Sequence, residues 1–292
     1  VYRGILPAVT QRPATDLDAF GGMSPTIHRS IVDGGAGLRV LRFPGDAARR
    51  PPVLFVPGWV SLPGPWAPAI RALVPKGSVD YVESREKHTS ELPPGAWRKE
   101  LFSIEQAGRD LARVIDDLGH DPREVVFVAS SLGANAVLDV LNRGLRCRAA
   151  VLIGPNVTVR FPWWGHGLIR LPVAAYRLAL PVIEFYLARF RVDAEREPEQ
   201  MARYRATLRS ADPRRLKLSA QAVADAALPD DLSGVADPVM IAYAPSDSLH
   251  GGDALEALAN RLPRGAAVAF PSNRALHDAR LALGIDEFLE RD

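Results

Sequence analysis

The 292-residue chain is short of several things, and each shortage narrows what it can be. It has one cysteine, Cys147, so no intramolecular disulfide can form and nothing in its covalent chemistry points to an oxidising compartment. Neither sign of charge is in excess. Thirty-six basic residues face 34 acidic ones, a net of +2, with arginine dominating over lysine. That balance gives no support to a general nucleic-acid binder. No long uninterrupted apolar run occurs. The most apolar stretch, Gly167 to Phe190, is broken by Arg170, Pro172, Arg177, Pro181 and Glu184. Such a pattern argues against a membrane-crossing helix and leaves peripheral contact with a membrane surface open. Val1 to Pro7 lacks the apolar core of a signal peptide, so a cytoplasmic location is the expectation. There is no glycine-rich phosphate loop and no His/Cys/Glu grouping with metal-ligand spacing; neither a metal nor another cofactor is expected.

What is present reads as an ordinary globular protein, 47% hydrophobic and 24% charged. Residues 1 to 26, rich in proline and small residues, read as a loose arm. Thr26 to Arg42 reads as a hairpin around Asp33-Gly34-Gly35-Ala36-Gly37. Pro52 to Val56 and Val79 to Val82 read as buried strands, with a helix from Trp66 to Leu73 between them. Ser103 with Gln106 three residues later forms a capping-box pattern. The helix it opens has the apolar face Ile104, Ala107, Leu111, Val114, Ile115 and Leu118. Ala149 to Ile153 is a strand, with Cys147 at its entrance as a structural thiol. From Val157 to Ala236 the patterns are helical. Strands resume at Pro238 to Tyr243 and Ala266 to Phe270, and a helix from Ala279 to Leu289 closes the chain. Alternating strands and helices predict a mostly parallel, doubly wound α/β sheet with helices on both faces. The interruption predicts a helical cap, 157–236, inserted into a core domain made of 1–156 and 237–292.

The most informative stretch is 125–138. The β-branched run Val125 to Val128 stops at Ala129-Ser130-Ser131-Leu132-Gly133, and a helical pattern follows at once. Strand, tight turn and helix place Ser131 at an apex near a helix N-terminus, where backbone N–H groups stabilise negative charge. An ordinary βα unit with Ser131 as N-cap fits the same residues.

This segment resembles the G-x-S-x-G nucleophile elbow of the α/β-hydrolase family, with Ala129 in place of the first glycine. The resemblance covers about 26–156 and 237–292, and it implies a serine nucleophile, a base and an orienting carboxylate. The family order of nucleophile, acid and base falls on Ser131, Asp247 and His277, the last two following the strands that end at Tyr243 and Phe270. His250 is the rival base, and Asp278 and Asn156 are rival positions for the acid; Asn156 holds no charge, and Asp278 would face away. The resemblance also implies an oxyanion hole on the backbone amides of Trp59 and Leu132, with Pro57-Gly58 where the family has His-Gly. The place of the family's Asp-x-Arg-Gly-x-Gly-x-Ser loop is taken by Val82 to Ser90, which keeps Arg85 and Ser90 but not the glycines.

The cap run Phe161-Pro162-Trp163-Trp164-Gly165-His166-Gly167 suits a lid over an apolar acyl group, with Trp163 and Trp164 as substrate-binding residues; it suits plain lid core equally. Arg170, Arg177, Arg189 and Arg191 read as a solvated face, with an anionic group as the alternative partner. The expectation is a serine hydrolase of carboxylic esters or thioesters acting on a small or lipid-like substrate. Acyl transfer by the same triad and a non-catalytic binding module on this scaffold are the alternatives.

Overall fold

The structure is a computed structural model that describes residues 17–45, 50–161, 163–190, 198–246 and 251–291. Its centre is one eight-stranded sheet. Strands β1 (Thr26–Val32) and β2 (Ala36–Phe43) form the expected hairpin, pairing antiparallel from Thr26 with Arg42 to Val32 with Ala36. Then come β3 (Val53–Val56), α1 (Ala67–Leu73), β4 (Val79–Val82), α2 (Ile104–Asp117), β5 (Val126–Ser130), α3 (Leu132–Asn142) and β6 (Ala149–Ile153). Among the described residues, α4 (Trp163–Leu168), α5 (Tyr176–Phe190), α6 (Pro198–Ser210) and α7 (Pro213–Val223) follow. The chain ends with β7 (Val239–Tyr243), α8 (Gly252–Arg261), β8 (Gly265–Ala269) and α9 (Ala279–Arg291).

The strand order is β1-β2-β4-β3-β5-β6-β7-β8. From β4 to β8 every pairing is parallel. Side-chain alternation builds two cores from the central strands. Leu54, Val56, Phe127 and Ala129 pack with α2, α3 and α8 on one face. Val53, Phe55, Val126 and Val128 pack with α1 and α9 on the other. These strands are apolar on both sides because both sides are covered. The doubly wound α/β architecture is therefore as expected.

Two expectations need correction. The N-terminal segment is not all loose arm: Phe20 is fully buried against Phe43, with ring centroids 4.8 Å apart, and Arg71 donates to the Ala19 carbonyl at 2.8 Å. Only half of the capping box forms. Ser103 Oγ accepts from the Gln106 N–H at 3.2 Å, but the Gln106 side chain turns to Asp110 and Arg109. Asp110 is buried beside Arg85, and a buried carboxylate draws hydrogen-bond donors more strongly than an exposed N-terminal amide does.

The β5–α3 connection has no spare residue. Ser131 N–H donates to the Ile153 carbonyl at 2.8 Å, tying the turn to β6. Gly133, in the first turn of α3, lies against the end of β3: a Cβ there would stand 2.5 Å from the Pro57 carbonyl oxygen and 2.7 Å from that of Val56. Gly133→Ala is expected to destabilise the protein by about 1–3 kcal/mol, the usual cost of overpacking a tight contact. A urea-unfolding midpoint equal to that of the wild type would show that the elbow and β3 are not in register as described.

Candidate active site

Ser131 adopts φ 49°, ψ −124°. That region is strained for a residue with a side chain and characterises the nucleophile elbow. The serine precedes α3 but its hydroxyl makes no capping bond. The alternative of an ordinary N-cap serine therefore fails, because the strained backbone turns Oγ away from the helix amides.

Oγ faces Asn156 instead, whose Nδ2 donates to it at 3.1 Å. Backbone groups fix which end of that amide is which. Asn135 Oδ1 accepts from the Asn156 N–H at 2.9 Å, and Asn135 Nδ2 donates to the Asn156 carbonyl at 2.7 Å. Asn135 Oδ1 also receives Asn156 Nδ2 at 3.4 Å, so the nitrogen must be the atom on that side. With a donor already on Oγ, the serine hydroxyl keeps its own proton to give elsewhere. Nothing in the sequence foretells this contact; there Asn156 is only a position where an acid can stand.

His277 ends a short 3₁₀ turn after β8. Its ring stacks on Trp66, with centroids 4.0 Å apart and planes at 21°. Its Nδ1 lies 2.8 Å from the carbonyl oxygen of Asn273. Since a carbonyl only accepts, Nδ1 carries the proton in the neutral ring and Nε2 is the basic nitrogen. Ser131, Asn156 and His277 open on one cavity of about 430 Å³. Asp247 and His250 lie outside the described residues. Asp278 accepts from the Arg280 N–H at 2.8 Å as a local cap.

Trp59 follows the loop residue Gly58, and Leu132 follows the serine itself. Leu132 is the first residue of α3, where amides have no intrahelical acceptor. Trp59 lies in a turn closed by Ser61 N–H to the Gly58 carbonyl at 3.1 Å. A Cβ on Gly58 would sit 3.2 Å from the Ser131 Cβ, so this loop lies directly on the elbow. The Trp59 indole N–H donates to Ser219 Oγ of α7 at 2.8 Å.

The cavity is roofed by the helices between β6 and β7. Both ends of that segment are tied together, since Val159 N–H donates to Ala226 at 2.7 Å and Leu228 N–H to Val157 at 3.0 Å. Phe161, Trp164, Leu168, Ile183 and Tyr186 give apolar walls. The two neighbouring tryptophans part company. Trp164 packs edge-on against Tyr186 at 5.0 Å and lines the cavity, whereas Trp163 is 87% exposed and does not. Adjacent residues on a helix point about 100° apart, and the phase of α4 turns Trp164 inward and Trp163 outward. His166 lies 3.6 Å from Asp225 and edge-on to Phe161, a local role. Among the described residues no cluster of His, Cys, Asp or Glu has the arrangement of a metal site, and no helix is long and apolar enough to cross a membrane. Cys147 is buried, and that burial pushes its thiol pKa upward.

Comparison with known proteins agrees with the fold. No curated protein sequence matches the chain significantly. Among solved structures, a thermophilic esterase from Thermogutta terrifontis superposes with a TM-score of 0.75 at 19% identity, covering 91% of this chain and 98% of that one. An enol-lactonase from Burkholderia xenovorans LB400 gives 0.72 at 19% identity, covering 90% and 100%. A bromoperoxidase from Bacillus anthracis gives 0.70 at 15%, covering 91% and 100%. At such identities these are likenesses of fold. The model of the alpha/beta hydrolase family matches residues 53–281, from the first parallel strand to the last helix, and the chain belongs to that family.

Proposed function

We propose that this protein hydrolyses carboxylic esters or thioesters with an apolar acyl group, through an acyl-enzyme on Ser131. One observation carries the reading: a strained serine, without a capping bond, opens with His277 onto a largely apolar cavity. His277 Nε2 takes the Ser131 proton as Oγ attacks the carbonyl carbon. The oxyanion forms at the amides of Trp59 and Leu132. His277 then protonates the leaving alkoxide or thiolate, and a water activated by the same nitrogen releases the acid. Asp247, after β7, is the carboxylate that stabilises the imidazolium. Ser131→Ala is expected to lower kcat by about four to six orders of magnitude while the protein still folds. Asp247→Asn should be far more damaging than Asp278→Asn. Initial-rate measurements on the three folded variants test the assignment; an active Ser131→Ala protein would sink it.

The helices over the cavity act in this reading as a cap that selects the acyl chain. Each methylene buried is worth about 0.8 kcal/mol, so kcat/KM should rise roughly fourfold per carbon until the cavity is full. Trp164→Ala should shift that optimum, and Trp163→Ala should leave it in place. Rates on acetate through dodecanoate esters decide this; a flat profile contradicts it.

The outer side of the cap supports contact with an anionic lipid surface. Helix α5 is apolar on two faces: Ala179, Ile183 and Tyr186 line the cavity, while Leu178 is 81% exposed, Val182 55% and Phe185 66%. A surface helix normally has only one apolar stripe. Residues 157–190 carry four arginines and one acid, Glu184, which is held by Arg209 at 2.8 Å. Apolar side chains among an excess of arginine fit an anionic bilayer. Co-sedimentation with phosphatidylglycerol vesicles should be lost in Leu178→Ser/Phe185→Ser, while hydrolysis of a dissolved short ester is kept. Equal sedimentation of both proteins, or a solution dimer that the variant dissolves, would refute the lipid assignment.

A further inference from the structure

The loop after β4 holds two charged side chains that the cavity does not use. Lys87 and Glu86 are both buried, and Lys87 Nζ lies 3.2 Å from Glu86 Oε1. They stand where the family loop has its first glycine and the residue after it. Sinking an ion pair gains little over apolar packing of the same volume. Its other contacts show what it holds. Lys87 Nζ donates to the Gly58 carbonyl at 2.7 Å, and Glu86 Oε1 accepts the Val60 N–H at 3.3 Å. The pair thus grips the backbone on both sides of Trp59.

That stretch of backbone needs holding. The turn closes from Ser61 N–H to the Gly58 carbonyl, and its third residue, Val60, has φ 46°. Turns of this shape take glycine or asparagine at that position; a β-branched residue there is an outlier. The Gly58 carbonyl and the Trp59 N–H belong to one planar trans peptide and point in opposite directions. A cation on that carbonyl therefore fixes the N–H away from Lys87 and polarises it toward donation. The pair is itself anchored from the cap. Arg215 of α7 donates to the carbonyls of Arg85 at 3.1 Å, of Lys87 at 2.5 Å and of Ser90 at 2.8 Å, closing the loop around the lysine. Ser84 Oγ donates to Glu86 at 2.7 Å.

We propose that Lys87, held by Glu86, is a positioning residue that sets the direction and donor strength of the Trp59 amide as an oxyanion ligand. The proposal rests on the hydrolase reading above. Burial raises the Glu86 pKa, but the Lys87 charge and the Ser84 hydroxyl outweigh it and leave the carboxyl below its ordinary value. Burial lowers the Lys87 pKa, with Glu86 and Glu83 opposing.

The test is Glu86→Gln/Lys87→Met. Both charges leave together, so neither is stranded, and the introduced amide would keep an oxygen for the Val60 N–H. On a soluble p-nitrophenyl ester, kcat should fall about 10- to 100-fold, somewhat less than loss of a whole oxyanion donor costs, with KM changed by less than about threefold. The inhibition constant of an aryl trifluoromethyl ketone, which forms an oxyanion on the serine, should rise by the same factor as kcat/KM falls. A merely structural role would lower the melting temperature without that parallel. If the double variant gives no cooperative melt, Lys87→Gln is measured instead, with the same expectation. A folded variant with kcat within about twofold of wild type, or with unchanged ketone inhibition, overturns the proposal. Ser131→Ala run alongside separates the failures: if it is dead while the Lys87 variant is normal, only the positioning role falls. If Ser131→Ala is active, the hydrolase reading falls with it.

Discussion

The site depends on a backbone constraint at Ser131. A residue with a side chain is held at φ 49°, ψ −124°, a conformation that an isolated chain would abandon at a gain of about 1–3 kcal/mol. Three contacts keep it there. The Ser131 N–H is bonded to Ile153 on β6, Gly133 is pressed on the carbonyls at the end of β3, and Gly58 abuts the Ser131 Cβ. Strands β3 and β6 flank β5 in the sheet, so the strained turn is clamped from both neighbours. The strain is what points Oγ away from the helix amides it would otherwise cap.

In and around the loop after β4, ionic groups are buried. Arg39 meets Glu83 through two bonds of 2.8 and 2.9 Å, and Arg85 meets Asp110 at 2.5 and 2.8 Å. Arg215 donates from both terminal nitrogens to backbone carbonyls of the same loop. Arg39 with Glu83 and Arg85 with Asp110 are paired, as buried charges must be to avoid a cost of several kcal/mol, and Arg215 is met by carbonyl oxygens. The network joins β2, the loop after β4, α2 and α7, and so ties a segment without regular structure to three regular elements. It also connects the roof of the cavity with the loop under Trp59.

Much of this is legible in the sequence. Val53–Val56, Val126–Ser130 and Ala149–Ile153 are short apolar runs that end at Pro57-Gly58, the elbow and Gly154-Pro155, and two-sided burial leaves no other place for such runs. Ser131 and His277 stand out by their positions after strands, and the structure sets both on one cavity. What escapes are contacts between side chains whose partners the local pattern does not name. Nothing local to Gln106 says that it will turn to Asp110, nor does Asn156 announce that it will donate to Ser131. Trp163 and Trp164 are indistinguishable by composition, and only the phase of α4 separates them. Glu86 and Lys87 register in the sequence only as part of a loop that has lost its glycines, because their partners Gly58 and Val60 lie more than twenty residues away.

The central claim is that the strained serine, and not its neighbour Ser130, is the nucleophile. Labelling with a fluorophosphonate followed by peptide mass spectrometry tests it directly, because the reagent bonds only to a serine that a base has activated. The account predicts one adduct per chain, on the Oγ of Ser131. An adduct on Ser130 or on another serine, or no adduct on folded protein, would contradict it.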